Sequence, residues 1–248
     1  MKLSIIIPAY NEENRIEKTL KSVDNYLSIQ DYDYEILVVN DGSKDNTADV
    51  VSGLSEQIRG LRLIDNKDNH GKGWVVKQGM LEAKGDIRLF MDADNSTTVN
   101  HIGQFWKYFS GRGGSAFGGY EGYDVVIGSR RIEGSDIAAK QPWLRDFLGG
   151  VFRLIVHTLV PLGVNDSQAG FKAFTAEATK IVFSKQTIFR WAFDVEILAI
   201  AKKSKLKIKE APIKWINDEE SKVRLKGMIQ MLLEVLQVRI NLWFGKYK

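Results

Sequence analysis

Two carboxylates, Asp92 and Asp94, follow directly after a short apolar segment, Ile87–Met91, with one alanine between them. Carboxylates at this spacing can hold one divalent cation when the backbone turns between them, and oxygen ligands favour Mg²⁺ or Mn²⁺. Such an ion would act as a Lewis acid and neutralise a diphosphate leaving group. An acidic turn, or caps for a helix that starts near Ser96, explains the same residues without a metal. The pair is therefore a candidate metal site, and the structural alternative stays open.

Two further segments have residue types suited to a nucleotide. Asp41 ends an apolar segment, where its carboxylate can accept hydrogen bonds from a ribose or a base, or can simply cap the next helix. Residues 69–73 (NHGKG) open a predicted helix. The free N–H groups of its first turn, the helix dipole and Lys72 together favour an anion. The glycine spacing differs from that of a P-loop.

These candidates follow the strands of a predicted α/β sheet. The first 95 residues alternate short apolar runs with segments whose apolar residues recur every three or four positions. The predicted strands are Leu3–Ile7, Glu35–Val39, Leu61–Ile64 and Ile87–Met91, and the predicted helices are Glu13–Leu27, Thr47–Ile58 and Lys72–Ala83. Such alternation predicts a Rossmann-like, mostly parallel sheet with helices on both faces. Because these sheets bind ligands at the carboxyl ends of their strands, we expect the candidates to meet at one edge.

The second half of the chain has a different pattern. The predicted elements are a strand at Asp124–Gly128, a helix over residues 141–160, a short strand at Gly170–Phe174, a hairpin or bent strand around Pro212, and a closing helix at Val223–Phe244. We predict one catalytic domain over residues 1–220 and a basic amphipathic C-terminal helix over residues 221–248.

Composition excludes several classes of protein. The absence of cysteine excludes disulfide scaffolds, cysteine nucleophiles and thiolate zinc sites. The three histidines (His70, His101 and His157) are scattered without metal-ligand spacing. The N-terminal apolar run is too short for a signal peptide, and no stretch reaches the roughly 18 apolar residues of a spanning helix. These features predict a protein made and kept in the cytoplasm.

The positive charge is concentrated at the C-terminal end. Residues 222–248 carry six basic side chains and one acidic one, whereas the formal net charge of the whole chain is +4. A basic tail favours an anionic partner, and the absence of nucleic-acid-binding motifs favours a membrane surface over nucleic acid. Apolar residues at helical spacing in Val223–Phe244 fit a helix lying in a bilayer interface. Packing on the domain or on a partner subunit explains the same stripe, and the oligomeric state stays open.

Four ordered motifs give the sequence a family resemblance. These are SIIIPAYNE (Ser4 to Glu12), VVNDGSKDNT (Val38 to Thr47), NHGKG (69–73) and MDAD (Met91 to Asp94). Together they closely resemble the family-2 glycosyltransferases, which are inverting enzymes with the GT-A fold. The resemblance implies that Pro8, Tyr10, Glu12 and Asp41 hold the nucleoside. It also implies that Asp92 and Asp94 hold the metal and the diphosphate.

The second half resembles the dolichyl-phosphate sugar synthases, with the glucosyl-transferring branch first and the mannosyl branch second. The resemblance lies in Asp166–Lys172 (DSQAGFK), Arg190–Glu196 (RWAFDVE), Trp215, Gly128–Arg131 (GSRR) and Trp143–Arg145 (WLR). It implies that Arg130, Arg131 and Arg145 lie near the acceptor phosphate, and that Asp166 and Gln168 contact the donor sugar or the acceptor.

Three residues of this half have structural interpretations, and two features depart from the pattern. We interpret Asp194 as a buried partner of Arg190, and Trp191 and Trp215 as part of the core. The eukaryotic glucosyl enzymes carry an N-terminal membrane helix, whereas this sequence begins at its first strand. Ser96 stands where many mannosyl relatives have a glutamine near the metal.

The sequence thus predicts an inverting, metal-dependent hexosyltransferase on a membrane surface. The expected donor is UDP-glucose, with GDP-mannose second, and the expected acceptor is a polyprenyl or dolichyl phosphate. An acceptor phosphate is already anionic, so it needs orientation by arginines more than it needs a general base. Transfer to a hydroxyl would instead require a base, for which Asp166 is the candidate. A non-catalytic, membrane-docked nucleotide-sugar sensor is the alternative from another class.

Overall fold

The computed structural model describes residues 1–109, 122–137, 143–216 and 225–247, and of residues 143–148, 225, 226 and 228 it describes the backbone alone. The strands are β1 (Leu3–Ala9), β2 (Tyr34–Asp41), β3 (Leu61–Asn66), β4 (Ile87–Met91), β5 (Val125–Ser129), β6 (Asp136–Ile137), β7 (Phe171–Thr175), β8 (Ile208–Pro212) and β9 (Lys214–Trp215). The helices are α1 (Ile16–Leu27), α2 (Thr47–Leu54), α3 (Lys72–Glu82), α4 (Ile102–Phe105), α5 (Trp143–Leu159), α6 (Ala176–Lys185), α7 (Phe193–Lys203) and α8 (Leu225–Trp243).

Seven strands form the central sheet, in the order β3-β2-β1-β4-β7-β5-β8. Strand β7 is antiparallel to both of its neighbours, and the other paired strands of this sheet run parallel. The antiparallel direction of β7 has a consequence for function. Its N-terminal end lies beside the carboxyl ends of β4 and β5, because Met91 pairs with Phe171 and Ile127 pairs with Lys172. The residues that precede β7 are thereby brought to the edge at which the parallel strands end.

Helices cover both faces of the sheet, as the sequence predicted. On one face α1 and α2 bury apolar side chains such as Leu20 and Val51 against β1 and β2. On the other face α3, α6 and α7 pack through residues such as Met80, Val182 and Ile197. Both apolar clusters contain residues with no exposed surface, so the sheet is buried on both sides, as parallel sheets generally are.

Of the two alternatives predicted around Pro212, a hairpin or a bent strand, the hairpin was wrong. The two segments form separate strands, with β8 parallel to β5 and β9 parallel to β6 in a small second sheet. The chain changes partners at Ile213, whose N–H donates to the carbonyl of Ser129 at 3.2 Å. Proline has no N–H to continue a ladder, so a change of strand partner immediately after Pro212 is physically reasonable.

The closing helix α8 has two apolar faces. Met231, Val235, Val238 and Leu242 face the domain and belong to, or pack against, its buried apolar cluster. A second set lies on the outer side of the helix and is exposed, namely Ile229, Leu233, Leu236, Ile240, Trp243 and the following Phe244. The two alternatives left open by the sequence, packing on the domain and facing outward, therefore describe opposite faces of one helix.

Polar contacts fix the inner face of α8 to the domain. The Glu234 carboxylate accepts the N–H groups of Trp191 and Ala192 at 2.9 and 2.8 Å, just before α7 begins. Beyond the helix, the buried Tyr247 hydroxyl donates to the Glu196 carboxylate at 2.7 Å. Helix α8 is thus attached at its middle and just beyond its C-terminal end. In the described part of the chain, no helix is both long enough and apolar enough to cross a bilayer.

Candidate active site

The carboxyl ends of β1, β2 and β4 meet at one edge of the sheet, as predicted. Because these strands are adjacent and parallel, the segments beginning at Tyr10, at Asp41 and at Asp92 emerge side by side. The turn before β7 reaches the same edge, since the N–H of Asp92 donates to the carbonyl of Gly170 at 3.2 Å. The site is therefore assembled from both halves of the chain.

The end of β1 and the segment after it form one wall of the site and include the predicted nucleoside residues Pro8, Tyr10 and Glu12. Pro8 lies within β1, and the Tyr10 side chain is 41% exposed. The next residue, Asn11, adopts a left-handed backbone with φ of 54°. The N–H of Glu12 donates to the hydroxyl of Thr47 at 2.8 Å, and its carboxylate pairs with Arg15 at 2.6 Å. The wall is thus bonded to the segment that follows β2.

Asp41 holds the NHGKG segment in place. Its carboxylate accepts the N–H of His70 at 2.7 Å, the N–H of Gly71 at 2.9 Å and the amide of Asn69 at 3.0 Å. Burial raises the pKa of Asp41 above its ordinary value, although these hydrogen bonds act in the opposite direction. Gly71 has a φ of 101°, and a Cβ atom there would strike the carbonyl of Phe189. Asp41 therefore positions the start of α3, a role that the sequence did not predict.

Lys72 connects this segment to the two candidate metal ligands. Its ammonium lies 2.6 Å from Asp92 Oδ1. Burial disfavours the ammonium charge, but the carboxylates of Asp92 and Asp194 outweigh it and raise the pKa of Lys72. Lys72 is therefore a cation beside Asp92, and not only an anion-binding group at the start of a helix.

Asp92 and Asp94 fit the role of metal ligands. Burial, and next the charge of Asp92, raise the pKa of Asp94, as expected for two carboxylates that repel each other where water is scarce. The side-chain oxygen of Asn95 is also buried, with no hydrogen-bond partner in the part of the chain that the structure describes. Mg²⁺ is commonly held by one or two carboxylates together with substrate phosphate oxygens. This oxygen-rich pair matches that preference.

Arg130 and Asp166 form the opposite side of the site. The guanidinium donates from Nε and Nη2 to the two carboxylate oxygens at 2.7 and 2.8 Å, and the Arg130 N–H adds a third bond at 3.0 Å. Trp215 lies against the guanidinium, whose carbon is 5.4 Å from the ring centroid. Burial opposes the charge of Asp166, yet Arg130 lowers its pKa below the ordinary value. A carboxylate held in this way is a weak base, which argues against Asp166 as a general base.

The remaining candidates are Gln168, Arg131 and Arg145. The Gln168 amide approaches the sulfur of Met231 in α8 at 3.2 Å, so this residue contacts the C-terminal helix. Arg131 is exposed, and its N–H donates to the Ser129 hydroxyl at 3.3 Å. Arg145 belongs to α5, but its side chain lies outside the described residues.

The interpretation of Asp194 as a partner of Arg190 was wrong. Asp194 forms a short ion pair with Lys172, and the two side chains are 9% and 0% exposed. Arg190 lies at the surface, where its charge acts on Asp41. No role was predicted for Lys172, although a lone lysine in the apolar segment Phe171–Phe174 was a signal that could have indicated one.

Replacing Asp166 by asparagine should lower the free energy of unfolding by about 3–5 kcal/mol at pH 7, because the charge of Arg130 would stay buried without its partner. The native pKa of Asp166 is lowered, so its ionised form stabilises the fold above its unfolded pKa of about 3.9. This contribution is lost as the pH falls through the native pKa. Urea unfolding should therefore show a constant difference between wild type and variant from about pH 7 to 5, and a shrinking one below about 4.

Asp33→Asn serves as the control for this prediction, because Asp33 forms a surface pair with Arg59 in which both side chains are about three-quarters exposed. That variant should change unfolding little at any pH, since exposed pairs contribute about 0–1 kcal/mol. A difference for Asp166→Asn that stays the same below pH 4 would show that ionised Asp166 does not stabilise the fold.

Comparison with known proteins places this geometry in a family. The sequence profile of glycosyl transferase family 2 matches residues 4–153. The chain is 35% identical to a dolichyl-phosphate beta-glucosyltransferase of Trichomonas vaginalis over 99% of its own length and 74% of that protein. It is 31% identical to the Homo sapiens protein of the same name, over 100% of its own length and 78% of that protein.

Solved structures show the same fold. Glucosyl-3-phosphoglycerate synthase from Mycobacterium tuberculosis, in a complex with Mn²⁺, UDP-glucose and phosphoglyceric acid, superimposes with a TM-score of 0.67 at 19% identity, over 97% of this chain and 79% of that one. The same enzyme was also solved with Mg²⁺ and UDP. The fold is therefore the GT-A type expected from the sequence. With a profile match over more than half its length and relatives 31% and 35% identical along nearly all of it, the chain belongs to glycosyl transferase family 2 and is a glycosyltransferase.

Proposed function

We propose that this protein transfers glucose from UDP-glucose to a polyprenyl phosphate of the dolichyl phosphate type, with inversion at the anomeric carbon. The names of its relatives support the sugar and the acceptor, because they are dolichyl-phosphate beta-glucosyltransferases that align along nearly the whole chain. The complex of the structural neighbour with UDP-glucose and Mn²⁺ supports the donor and the cation. The proposal also assigns the metal to Asp92 and Asp94, and the nucleoside to Pro8, Tyr10, Glu12 and Asp41.

The pairing of Arg130 with Asp166 is the observation that carries this proposal. An acceptor hydroxyl must lose its proton as it attacks, which requires a base, whereas an acceptor phosphate is already anionic near neutral pH. Asp166 is committed to Arg130 and has a lowered pKa. The carboxylate predicted for a hydroxyl acceptor is therefore poorly suited to that task. A guanidinium beside the site is suited to orient a phosphate.

The reaction is an in-line displacement. An oxygen of the acceptor phosphate forms a bond to the anomeric carbon, and the bond from that carbon to the β-phosphate oxygen of UDP breaks with its electron pair. A bound divalent metal supplies positive charge that stabilises the leaving diphosphate. Lys72 adds the positive charge of its ammonium on the side of the leaving diphosphate. Arg130 and Arg131 orient the acceptor phosphate on the other side of the sugar. No protein group has to remove a proton.

Transfer assays test this function directly. Labelled UDP-glucose and GDP-mannose are incubated separately with the protein, Mg²⁺ and either a short polyprenyl phosphate or the corresponding polyprenol. We expect lipid-linked glucose from UDP-glucose with the phosphate alone. Product with the polyprenol would indicate a hydroxyl acceptor. Product from GDP-mannose alone would show that GDP-mannose, and not UDP-glucose, is the donor. UDP binding without transfer to either lipid would favour a sensor.

We further propose that the outer face of α8 lies on the membrane that holds the acceptor. Trp243 and Phe244 are both 82% exposed, and Arg239 and Lys246 are exposed nearby. Exposed apolar side chains among cations fit the interface of an anionic bilayer. The prenyl chain of the proposed acceptor requires such a surface.

The double substitution Trp243→Ser/Phe244→Ser should lower the affinity for vesicles about tenfold or more, because burying each aromatic side chain contributes about 1.5–3 kcal/mol. Co-sedimentation with vesicles of phosphatidylcholine and phosphatidylserine measures this affinity. Ile29→Ser is the matched control, since Ile29 is 80% exposed on a different part of the protein. Equal sedimentation of both variants would refute the surface. If the wild type is a dimer and the double substitution dissociates it, the outer face of α8 serves self-association.

A further inference from the structure

Lys172 is a buried cation for which the proposed reaction has no direct use. It lies in the central strand β7, and its side chain has no exposed surface. Its ammonium forms the short ion pair with Asp194 and donates to the carbonyl of Ala169 at 2.5 Å. It also lies 5.4 Å from the ring centroid of Phe90 in β4. Lys172 thereby contacts a turn, a helix and a neighbouring strand.

Stability alone does not account for this pair. Removing two charges from water costs several kcal/mol per ion, and apolar replacements of buried pairs are often neutral or stabilising. Lys172 shares its face of the sheet with Phe90 and Phe174, which are both fully buried in an apolar cluster. An apolar residue would suit this position in β7 if only packing mattered. A role in positioning explains the charge.

The turn that Lys172 holds joins the two sides of the site. This turn, residues 166–170, begins with Asp166, which pairs with Arg130. It ends with Gly170, whose carbonyl accepts the N–H of Asp92 at 3.2 Å. The approach is so close that a Cβ atom on Gly170 would overlap the Asp92 carboxylate. Ala169, the residue bonded to Lys172, directly precedes this contact.

We propose that Lys172 and Asp194 form a positioning pair that holds the 166–170 turn against Asp92, and so sets the placement of the metal-side carboxylate relative to Arg130. Lys172 does not touch the reacting atoms. It acts through the carbonyl of Ala169 on the backbone that supports Asp92 and Asp166. This inference rests on the proposed metal site and deepens it by adding an outer layer of support. Outer groups that orient metal ligands typically change metal affinity or activity 10–100-fold when they are removed.

The test removes both charges, so that no buried charge is left unpaired. The variant is Lys172→Met/Asp194→Asn. Its matched control is Lys21→Met/Glu17→Gln, which removes an exposed ion pair of 2.6 Å on α1. Three quantities are measured: the thermal unfolding midpoint, the affinity for UDP with and without Mn²⁺, and, for transfer, kcat and KM separately. UDP binding needs neither acceptor nor turnover, so it tests the pair even if the proposed acceptor is wrong.

We expect the double variant to fold and to bind UDP without metal as the wild type does, because the nucleoside residues lie on other strands. The gain in UDP affinity on adding Mn²⁺ should fall about tenfold or more, and kcat should fall by a similar factor while the donor KM changes less. The control should match the wild type in all three quantities. A double variant whose metal-dependent UDP affinity and kcat stay within about twofold of wild type overturns the proposal.

Two further outcomes are decisive. If the double variant does not fold, Lys172→Met/Asp194→Leu replaces it, since this pair also removes both charges and the bond to Ala169 and leaves no polar side chain buried at either position. Wild-type metal-dependent UDP affinity in that variant would then refute the pair as a positioning device. A wild-type protein whose UDP affinity does not respond to Mn²⁺ would refute the proposal as well, because Asp92 would then not be a metal ligand that the pair could position.

Discussion

Replacing Asp92 by asparagine should lower glucosyl transfer about 10²–10⁴-fold without unfolding the protein, since charge stabilisation by a bound metal is worth several kcal/mol. Asp92 emerges from the buried strand β4 at the edge where both halves of the chain meet. The amide has nearly the same shape as the carboxylate but lacks its negative charge. It would weaken the hold on the cation and also leave Lys72 without the negative charge of the carboxylate that now lies 2.6 Å away.

The variant can be tested at two levels. Transfer is measured over a series of Mn²⁺ concentrations, and UDP binding is measured with and without Mn²⁺. We expect Asp92→Asn to lose most of the metal-dependent gain in UDP affinity while its far-UV circular dichroism remains that of the wild type. Asp33→Asn removes a carboxylate from an exposed surface pair and should behave as the wild type. Full transfer by Asp92→Asn at the Mn²⁺ concentration that saturates the wild type would exclude Asp92 as a metal ligand.

Much of this site was predictable because one rule of parallel sheets determines where it lies. Short apolar runs ending in Pro8-Ala9, Asn40-Asp41 and Met91-Asp92 predicted parallel strands, and parallel neighbours end at the same edge. The boundaries of strands were less well predicted. Strands β1, β2 and β3 each run two residues beyond their predicted ends, because polar residues such as Asn40 and Asp65 continue the ladder. Ladder bonds join backbones, so a polar side chain does not end a strand.

The second half of the site was not predictable from periodicity. The strand β7 is short, and nothing in its composition shows that it runs antiparallel between β4 and β5. Its direction is what brings Asp166 to Arg130, a pairing across 36 residues of sequence. The sequence therefore named both residues as candidates but could not show that they neutralise each other. The same reason explains the error at Asp194, whose partner lies on a neighbouring strand and not four residues away.

Helix α8 shows a different limit of sequence reasoning. Its apolar residues were read as one broad stripe, and two explanations competed for it. In the structure Val235 and Val238 are fully buried, whereas Leu233 and Ile240 are exposed. A helix that is apolar on two sides has no single direction of amphipathicity, so the pattern alone could not decide between the core and an outside partner. The hydrogen bonds of Glu234 and Tyr247 identify the inner side.

Replacing Arg130 by alanine is expected to reduce kcat/KM for the acceptor about 10²–10³-fold, because a charge-assisted, oriented contact to the acceptor phosphate would be lost. It should also lower the free energy of unfolding by about 3–5 kcal/mol, since Asp166 would remain buried without its partner. These two losses have different causes, and a second variant can separate them. Arg130→Ala/Asp166→Ala removes both charges and should recover most of the lost stability.

The double variant decides what the arginine does. If Arg130 orients the acceptor, Arg130→Ala/Asp166→Ala should unfold nearly as the wild type does and still transfer poorly, with metal-dependent UDP binding close to normal. If the pair only stabilises the fold, transfer should recover together with stability. Because Arg130 directly follows β5 and Asp166 lies in the turn before β7, this cycle tests the acceptor side of the site without altering the residues proposed to hold the metal and the nucleoside.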